Sequence, residues 1–159
     1  MIRALWLVAV LLLGTTLPAA AEEACETWTA GAQEDEGGLV FTVAACATDR
    51  PDAYLFMTCS AGEVFIRYDL AAGAERSPDE DEVNDVDFSV GVSTQRLSMR
   101  YEAMDGMFAG SVPANGPLVA LLRSGQGLNV VDADGRYPVH SFGLTGSSAA
   151  LTRLVQQCR

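Results

Sequence analysis

Three times in this chain two short β-type runs are parted by a tight turn containing glycine, and that repetition limits the fold more than any other feature. Strands joined by so few residues lie side by side and run antiparallel, because a parallel pair needs a crossover of about a dozen residues or more. Residues 54–59 and 63–70 flank Ser60-Ala61-Gly62, 94–104 and 107–112 flank Asp105-Gly106, and 128–133 and 136–144 flank Asp134-Gly135. Asp-Gly suits a type I′ turn, whose two central residues both need positive φ. Residues 39–46 have strand composition as well, and Thr48-Asp49-Arg50-Pro51-Asp52 breaks that run.

Register decides what each hairpin shows to either side. With Cys59 opposite Glu63, Tyr54, Phe56 and Thr58 share a face with Val64, Ile66 and Tyr68, while Leu55, Met57 and Cys59 share the other with Phe65 and Arg67. Both faces are then largely apolar, which predicts a hairpin in mid-sheet, covered on each side. With Met104 opposite Met107, the second hairpin sets Leu97, Met99, Tyr101 and Ala103 beside Phe108, Gly110 and Val112. Its opposite face carries Arg96, Ser98, Arg100 and Glu102. One side reads as core and the other as wet.

Two helices complete the pattern. Asn115-Gly116-Pro117 opens a short one, with Asn115 as its expected cap, Leu118, Leu121 and Leu122 as its apolar face, and Gly125 closing it. In residues 147–158, Leu151, Leu154, Val155 and Cys158 fall at i, i+3, i+4 and i+7. That stripe needs an apolar sheet face, and the first hairpin offers Leu55, Met57, Phe65 and Cys59. Four cysteines allow three connectivities. The packing argument favours Cys59 with Cys158, leaving Cys25 with Cys46.

Disulfides require an oxidising compartment, and the first 21 residues supply the reason to expect one. Arg3 precedes an apolar run over 4–13, and Ala19-Ala20-Ala21 forms a small-residue cleavage pattern before Glu22. The run is too short for a membrane span, which takes about 20 residues. Residues 1–21 therefore read as a signal peptide and 22–159 as one soluble domain, periplasmic or secreted. The chain has 21 carboxylates against 10 basic residues, all of them arginine, for a net charge of −11. Such a charge disfavours nucleic acid and anionic membrane surfaces and tolerates a cationic partner.

Candidate chemistry is sparse. His140 is the sole histidine; without a Gly-x-Ser-x-Gly elbow it reads as a surface or internally satisfied residue. The polar stretch 22–38, with 34–38 as its loop, and the acidic stretch 71–87 both read as solvated. Residues 79–87 hold six carboxylates, but Val83 and Val86 fall where an EF-hand needs ligands or glycine. Asp132-Ala133-Asp134-Gly135 reads as a turn, so neither a metal nor another cofactor is expected. A glycosidase carboxylate pair would need a cleft for which so small a domain has little material. Arg96, Arg100 and Glu102 form the most suggestive exposed group, able to recognise an anionic or peptide group.

The segments Leu118-Val119-Ala120-Leu121-Leu122, Leu128-Asn129-Val130-Val131, Phe142-Gly143-Leu144-Thr145-Gly146 and Ala149-Ala150-Leu151, ending in Cys158, resemble small exported proteins of Gram-negative bacteria. The type VI secretion accessory VasI-like family and the invasion-associated locus B family are similar there. The resemblance is structural; it implies a periplasmic, non-enzymatic, envelope-associated domain and carries no binding residues.

The expectation is thus an α+β domain: a mainly antiparallel β-sheet or flattened sandwich of about seven strands, with two helices on one face, linked by disulfides. Its expected role is a periplasmic binding or accessory module that recognises a protein or peptide through a sheet edge or the Arg96, Arg100 and Glu102 face. An inhibitor of a cationic hydrolase such as lysozyme and a small periplasmic hydrolase are the alternatives.

Overall fold

The computed structural model describes residues 27–158, Glu36 excepted. Residues 1–21, expected to be a signal peptide, and Cys25 lie outside the described residues. Eleven elements follow in chain order: β1 (Thr29–Asp35), β2 (Gly38–Cys46), β3 (Tyr54–Ser60), β4 (Glu63–Tyr68), β5 (Val83–Val90), β6 (Ser93–Glu102), β7 (Met107–Pro113), α1 (Pro117–Leu122), β8 (Gly127–Asp132), β9 (His140–Gly143) and α2 (Ser147–Gln156). The strands make one sheet, ordered β1-β2-β3-β4-β7-β6-β5-β8-β9, antiparallel at every pairing. The sheet is mainly antiparallel as expected, but it has nine strands rather than about seven and is a continuous half-barrel rather than a sandwich.

The two additional strands come from stretches that composition marks as loop. In β5 the acids alternate with apolar residues: Asn84, Val86 and Phe88 point inward and are buried, while Asp85 and Asp87 point out. The strand lies between β6 and β8, so the acidic stretch ends as an interior strand of the sheet. β1, Thr-Ala-Gly-Ala-Gln-Glu-Asp, has little strand propensity of its own but pairs with β2 from Thr29↔Ala44 to Asp35↔Gly38.

Turn chemistry shifts the registers. In the first hairpin Ser60 faces Glu63, because Ala61 and Gly62 both take positive φ, 51° and 82°, the requirement of a two-residue I′ turn. This one-residue slip exchanges the faces: Leu55, Met57 and Cys59 now join Val64, Ile66 and Tyr68, and Phe65 and Arg67 go to the other side with Phe56. One side of the hairpin is core; the expected cover on the other is absent among the described residues, and Phe65 there is 45% exposed. In the second hairpin Glu102 faces Met107, across a four-residue loop in which Gly106 but not Asp105 has positive φ. The slip is two residues, so the faces stay as expected. In the third, Val130 faces His140 and residues 133–139 form a longer connection, although the Asp134-Gly135 turn does form, with the Gly135 amide donating to Asp132 O at 2.9 Å.

Both helices lie on the inner face, α1 against β5, β6 and β7 and α2 against β1, β2 and β3. Leu118, Leu122, Leu151 and Leu154 close one core with Val43, Leu55, Met57, Ile66, Phe88 and Phe108. Gly116, not Asn115, is the N-cap of α1. The Cys59–Cys158 disulfide is present, with Cα atoms 4.9 Å apart, and ties the end of β3 to the end of α2. Cys46 is also disulfide-bonded; its expected partner, Cys25, lies outside the described residues.

The curl of the sheet brings β9 back to the start of the described chain. Ser141 O accepts from the Thr48 amide at 2.7 Å, and the Ser141 amide donates to Asp49 Oδ1 at 2.7 Å. Gly143 O accepts from Trp28 Nε1 at 2.7 Å, and Thr145 O from the Trp28 amide at 3.0 Å. Both backbone groups of Ser141 and the Gly143 carbonyl on this terminal strand are thereby taken up.

Ahead of β5 the acidic stretch is tied rather than simply solvated. The Glu82 side chain is only 7% exposed and accepts from Arg76 Nη2 at 2.8 Å, Tyr137 Oη at 3.0 Å and the Asp79 amide at 3.1 Å, with Arg136 Nη1 at 3.3 Å. Burial by itself raises this carboxyl; the hydrogen bonds and Arg76 outweigh burial and hold it below its ordinary 4.5. A depressed carboxyl adds stability that is full above its unfolded value and is lost as pH falls through the folded one. Thermal melts of the wild type should therefore drop steadily from pH 4.5 downward, and Glu82→Gln, less stable at neutrality, should show a flatter acid limb. At the alkaline end, burial and the bond to Glu82 push the Tyr137 hydroxyl up to about 12. Its contribution is full below pH 10 and lost as pH rises toward 12.

Candidate recognition face

The outer side of the sheet has no helix on it among the described residues, and the slipped register of the first hairpin determines what it displays. Tyr54 and Phe56 are i and i+2 on β3 and stack at 5.6 Å between centroids. On β4, Phe65 pairs with Thr58 and Ser111, and Arg67 with Phe56 and Ala109. Tyr54 is 42% exposed and Phe65 45%, so large rings stand on a surface that an isolated domain would ordinarily cover with polar groups. The expected register puts Phe65 under the C-terminal helix and Arg67 on the same face; the observed one turns both outward. The signal that could have corrected this was Ala61-Gly62 read as a two-residue turn.

Beside Phe65 runs a groove of about 220 Å³, floored by Ala109, Gly110 and Ser111 and ended by Arg67 and Glu102. The small side chains of Ala109 and Ser111 leave the depression beside the Phe65 ring. Gly110 pairs with the buried Ile66 and would turn a β-carbon inward, 3.1 Å from Ser98 O and a Leu97 methyl, so only its backbone belongs to the floor. At the charged end Arg67 Nε donates to Glu102 Oε2 at 2.9 Å and lies 3.3 Å from Asp105 Oδ2. Two carboxylates thus face one guanidinium.

The three residues singled out from sequence share this outer side but do not form one constellation. Glu102 borders the groove. Arg96 is held by Asp87 through paired bonds of 2.7 Å, and the Arg96 fork, against a smaller opposing effect of burial, keeps the Asp87 carboxyl below its ordinary range. Arg100 reaches Asp81 at 3.3 Å, both widely exposed. Each arginine already has its carboxylate.

His140 is not at a surface. It is 1% exposed; Ala72 O, which can only accept, lies 3.1 Å from Nε2, and Tyr68 Oη lies 2.6 Å from Nδ1. Nε2 therefore carries the proton, and Tyr68 donates to Nδ1. Burial, reinforced by Asp49 and Asp69, pushes the Tyr68 hydroxyl far up, so that it keeps its proton. Both ring nitrogens are committed to the interior.

Fold and face together define a disulfide-clamped antiparallel half-barrel with an uncovered aromatic surface. Among solved structures it is similar to invasion associated protein B from Bartonella henselae, at 21% identity over 83% of this chain and 92% of that one, with a TM-score of 0.55. The locus B resemblance read in the C-terminal third thus holds for the fold as a whole. No protein-family model and no curated protein matches the chain.

Proposed function

We propose that this protein is a non-enzymatic binding module of the bacterial cell envelope and that it recognises a protein or peptide partner on the outer face around Phe65. The observation that carries the reading is the pair of exposed rings Tyr54 and Phe65, with the half-buried Phe56 stacked on Tyr54, beside a groove with a charged end. Aromatic anchors with an adjacent polar rim are the usual makings of an interface hot spot. An oxidised Cys59–Cys158 pair suits an extracytoplasmic location, and the fold shared with an invasion associated protein supports the envelope assignment. Consumption of both His140 nitrogens in the interior favours a binding role over a hydrolytic one.

The test compares capture from an envelope extract by the wild type, by Tyr54→Ser/Phe65→Ser and by Val92→Ser, an exposed position on the β5–β6 turn. Loss of an aromatic anchor costs about 2 kcal/mol or more, roughly 30-fold in affinity. A band retained by Val92→Ser and lost with the double variant is expected; undiminished capture by the double variant would remove the face from consideration. The net charge of −11 also favours inhibition of a cationic hydrolase, which a direct lysozyme assay with the same variants reads separately.

A further inference from the structure

We infer that the groove beside Phe65 takes an extended segment that seats one large apolar side chain against the Phe65 ring and carries lysine or arginine next to it. The inference rests on the binding reading given above and specifies the chemistry of the partner. Size is the first argument. A space of about 220 Å³ is below the ~300–1,000 Å³ of small-molecule pockets, and it is open along a sheet surface. It has room for a single side chain with its backbone outside.

Lining is the second argument. The floor of Ala109, Gly110 and Ser111 is nearly flat and lies beside an aromatic wall, an arrangement that rewards a ring or a branched aliphatic group through area and ring–ring contact. Charge is the third. Arg67 at the groove end is met by both Glu102 and Asp105, at 2.9 and 3.3 Å, and these carboxylates are 38% and 50% exposed. The end of the groove is therefore net negative although it contains a guanidinium. Farther along the same outer side Asp85 and Asp87 are matched by Arg96 and Arg100, so the local excess of acid lies at the groove end, and the chain as a whole carries −11. An incoming basic residue has carboxylate oxygens to meet, whereas an acidic one meets repulsion with Arg67 already engaged.

The experiment uses three capped pentapeptides, Gly-Lys-Phe-Lys-Gly, Gly-Glu-Phe-Glu-Gly and Gly-Lys-Gly-Lys-Gly, titrated into the isotope-labelled protein while amide resonances are followed by NMR at low salt. The Lys-Phe-Lys peptide should give saturable shifts at Phe65 and at Ala109, Gly110 and Ser111. The Glu-Phe-Glu peptide should bind those amides several-fold more weakly, because each of its two carboxylates replaces an attraction to the acidic groove end by a repulsion. The phenylalanine-free peptide should not saturate there. In Glu102→Gln/Asp105→Asn, whose changes are on the surface, both carboxylates of the groove end are gone and the preference for Lys-Phe-Lys should be lost. Equal or stronger binding of Glu-Phe-Glu by the wild type, or an undiminished preference in the variant, overturns the charge inference and leaves the face intact. If none of the phenylalanine peptides shifts these amides, both the inference and the reading it rests on fall.

Discussion

With Cys59 and Cys158 both replaced by alanine, the protein is expected to lose roughly 3–5 kcal/mol of folding stability, seen in urea titration as a lower midpoint. The crosslink spans 99 residues of sequence, and closing a loop of that length in the unfolded chain is worth about 4.7 kcal/mol in the chain-entropy account. It also anchors a helix that needs anchoring. α2 has ten residues, too few to be stable alone, since isolated helices shorter than ~12–15 residues are marginal in water. Its hold on the sheet is Leu151, Leu154 and Ala150 in the core, with Arg153 reaching Ala30 O at 3.2 Å and lying over the Phe41 ring. A total stability of about 5–15 kcal/mol is usual for a domain, so the loss leaves little margin. A midpoint change worth less than about 1 kcal/mol would mean that the leucine stripe docks α2 unaided.

His140→Ala is expected to cost a comparable amount, about 3–5 kcal/mol, by a different route. The substitution opens a void beside Tyr68 and Phe142, both packed edge-on in the core, and strands Tyr68 Oη and Ala72 O without their partners. Tyr68→Phe separates the two effects. It keeps the volume and removes one hydroxyl, so its cost should be nearer 1–3 kcal/mol, that of leaving one buried group unpaired. In the double variant the costs should fall well short of the sum, because the shared hydrogen bond is lost only once. Strict additivity in urea titrations of the four proteins would show that the 2.6 Å contact contributes nothing. Binding of a partner on the outer face should be unaffected under conditions where each variant remains folded, which distinguishes a structural histidine from a functional one.

How much of this was legible in the sequence depended on whether a local rule or a long-range pairing decided the outcome. The Cys59–Cys158 link could be reasoned out because a helix period of 3.6 aligns Cys158 with leucines that must be buried. The wet face of the second hairpin survived an error in its loop, since a two-residue slip preserves the side on which each residue points. The first hairpin shows the opposite case. Taking Ser60-Ala61-Gly62 as a three-residue loop instead of Ala61-Gly62 as a two-residue turn moved Phe65 and Arg67 into the core, and with them the candidate site. β5 was hidden by its own acids: Asp85 and Asp87 sit harmlessly on an outer face while Val86 and Phe88 go in, and composition weighed over nine residues loses that alternation. Glu82 was taken as solvated because its cage is assembled from Arg76 and from Arg136 and Tyr137, the last two more than fifty residues away. Of the three residues proposed from sequence, only Glu102 reached the groove.

The stitching of Ser141 and Gly143 by Thr48, Asp49 and Trp28 bears on how copies of this protein can meet. Growth of a cross-β filament needs two vacant margins on every subunit, one to receive and one to offer. Here one margin of the half-barrel is stapled to its own chain, so stacking through the β1 side terminates at a pair. A sheet of this width that cannot propagate end to end remains harmless at concentrations where a doubly open one would gel.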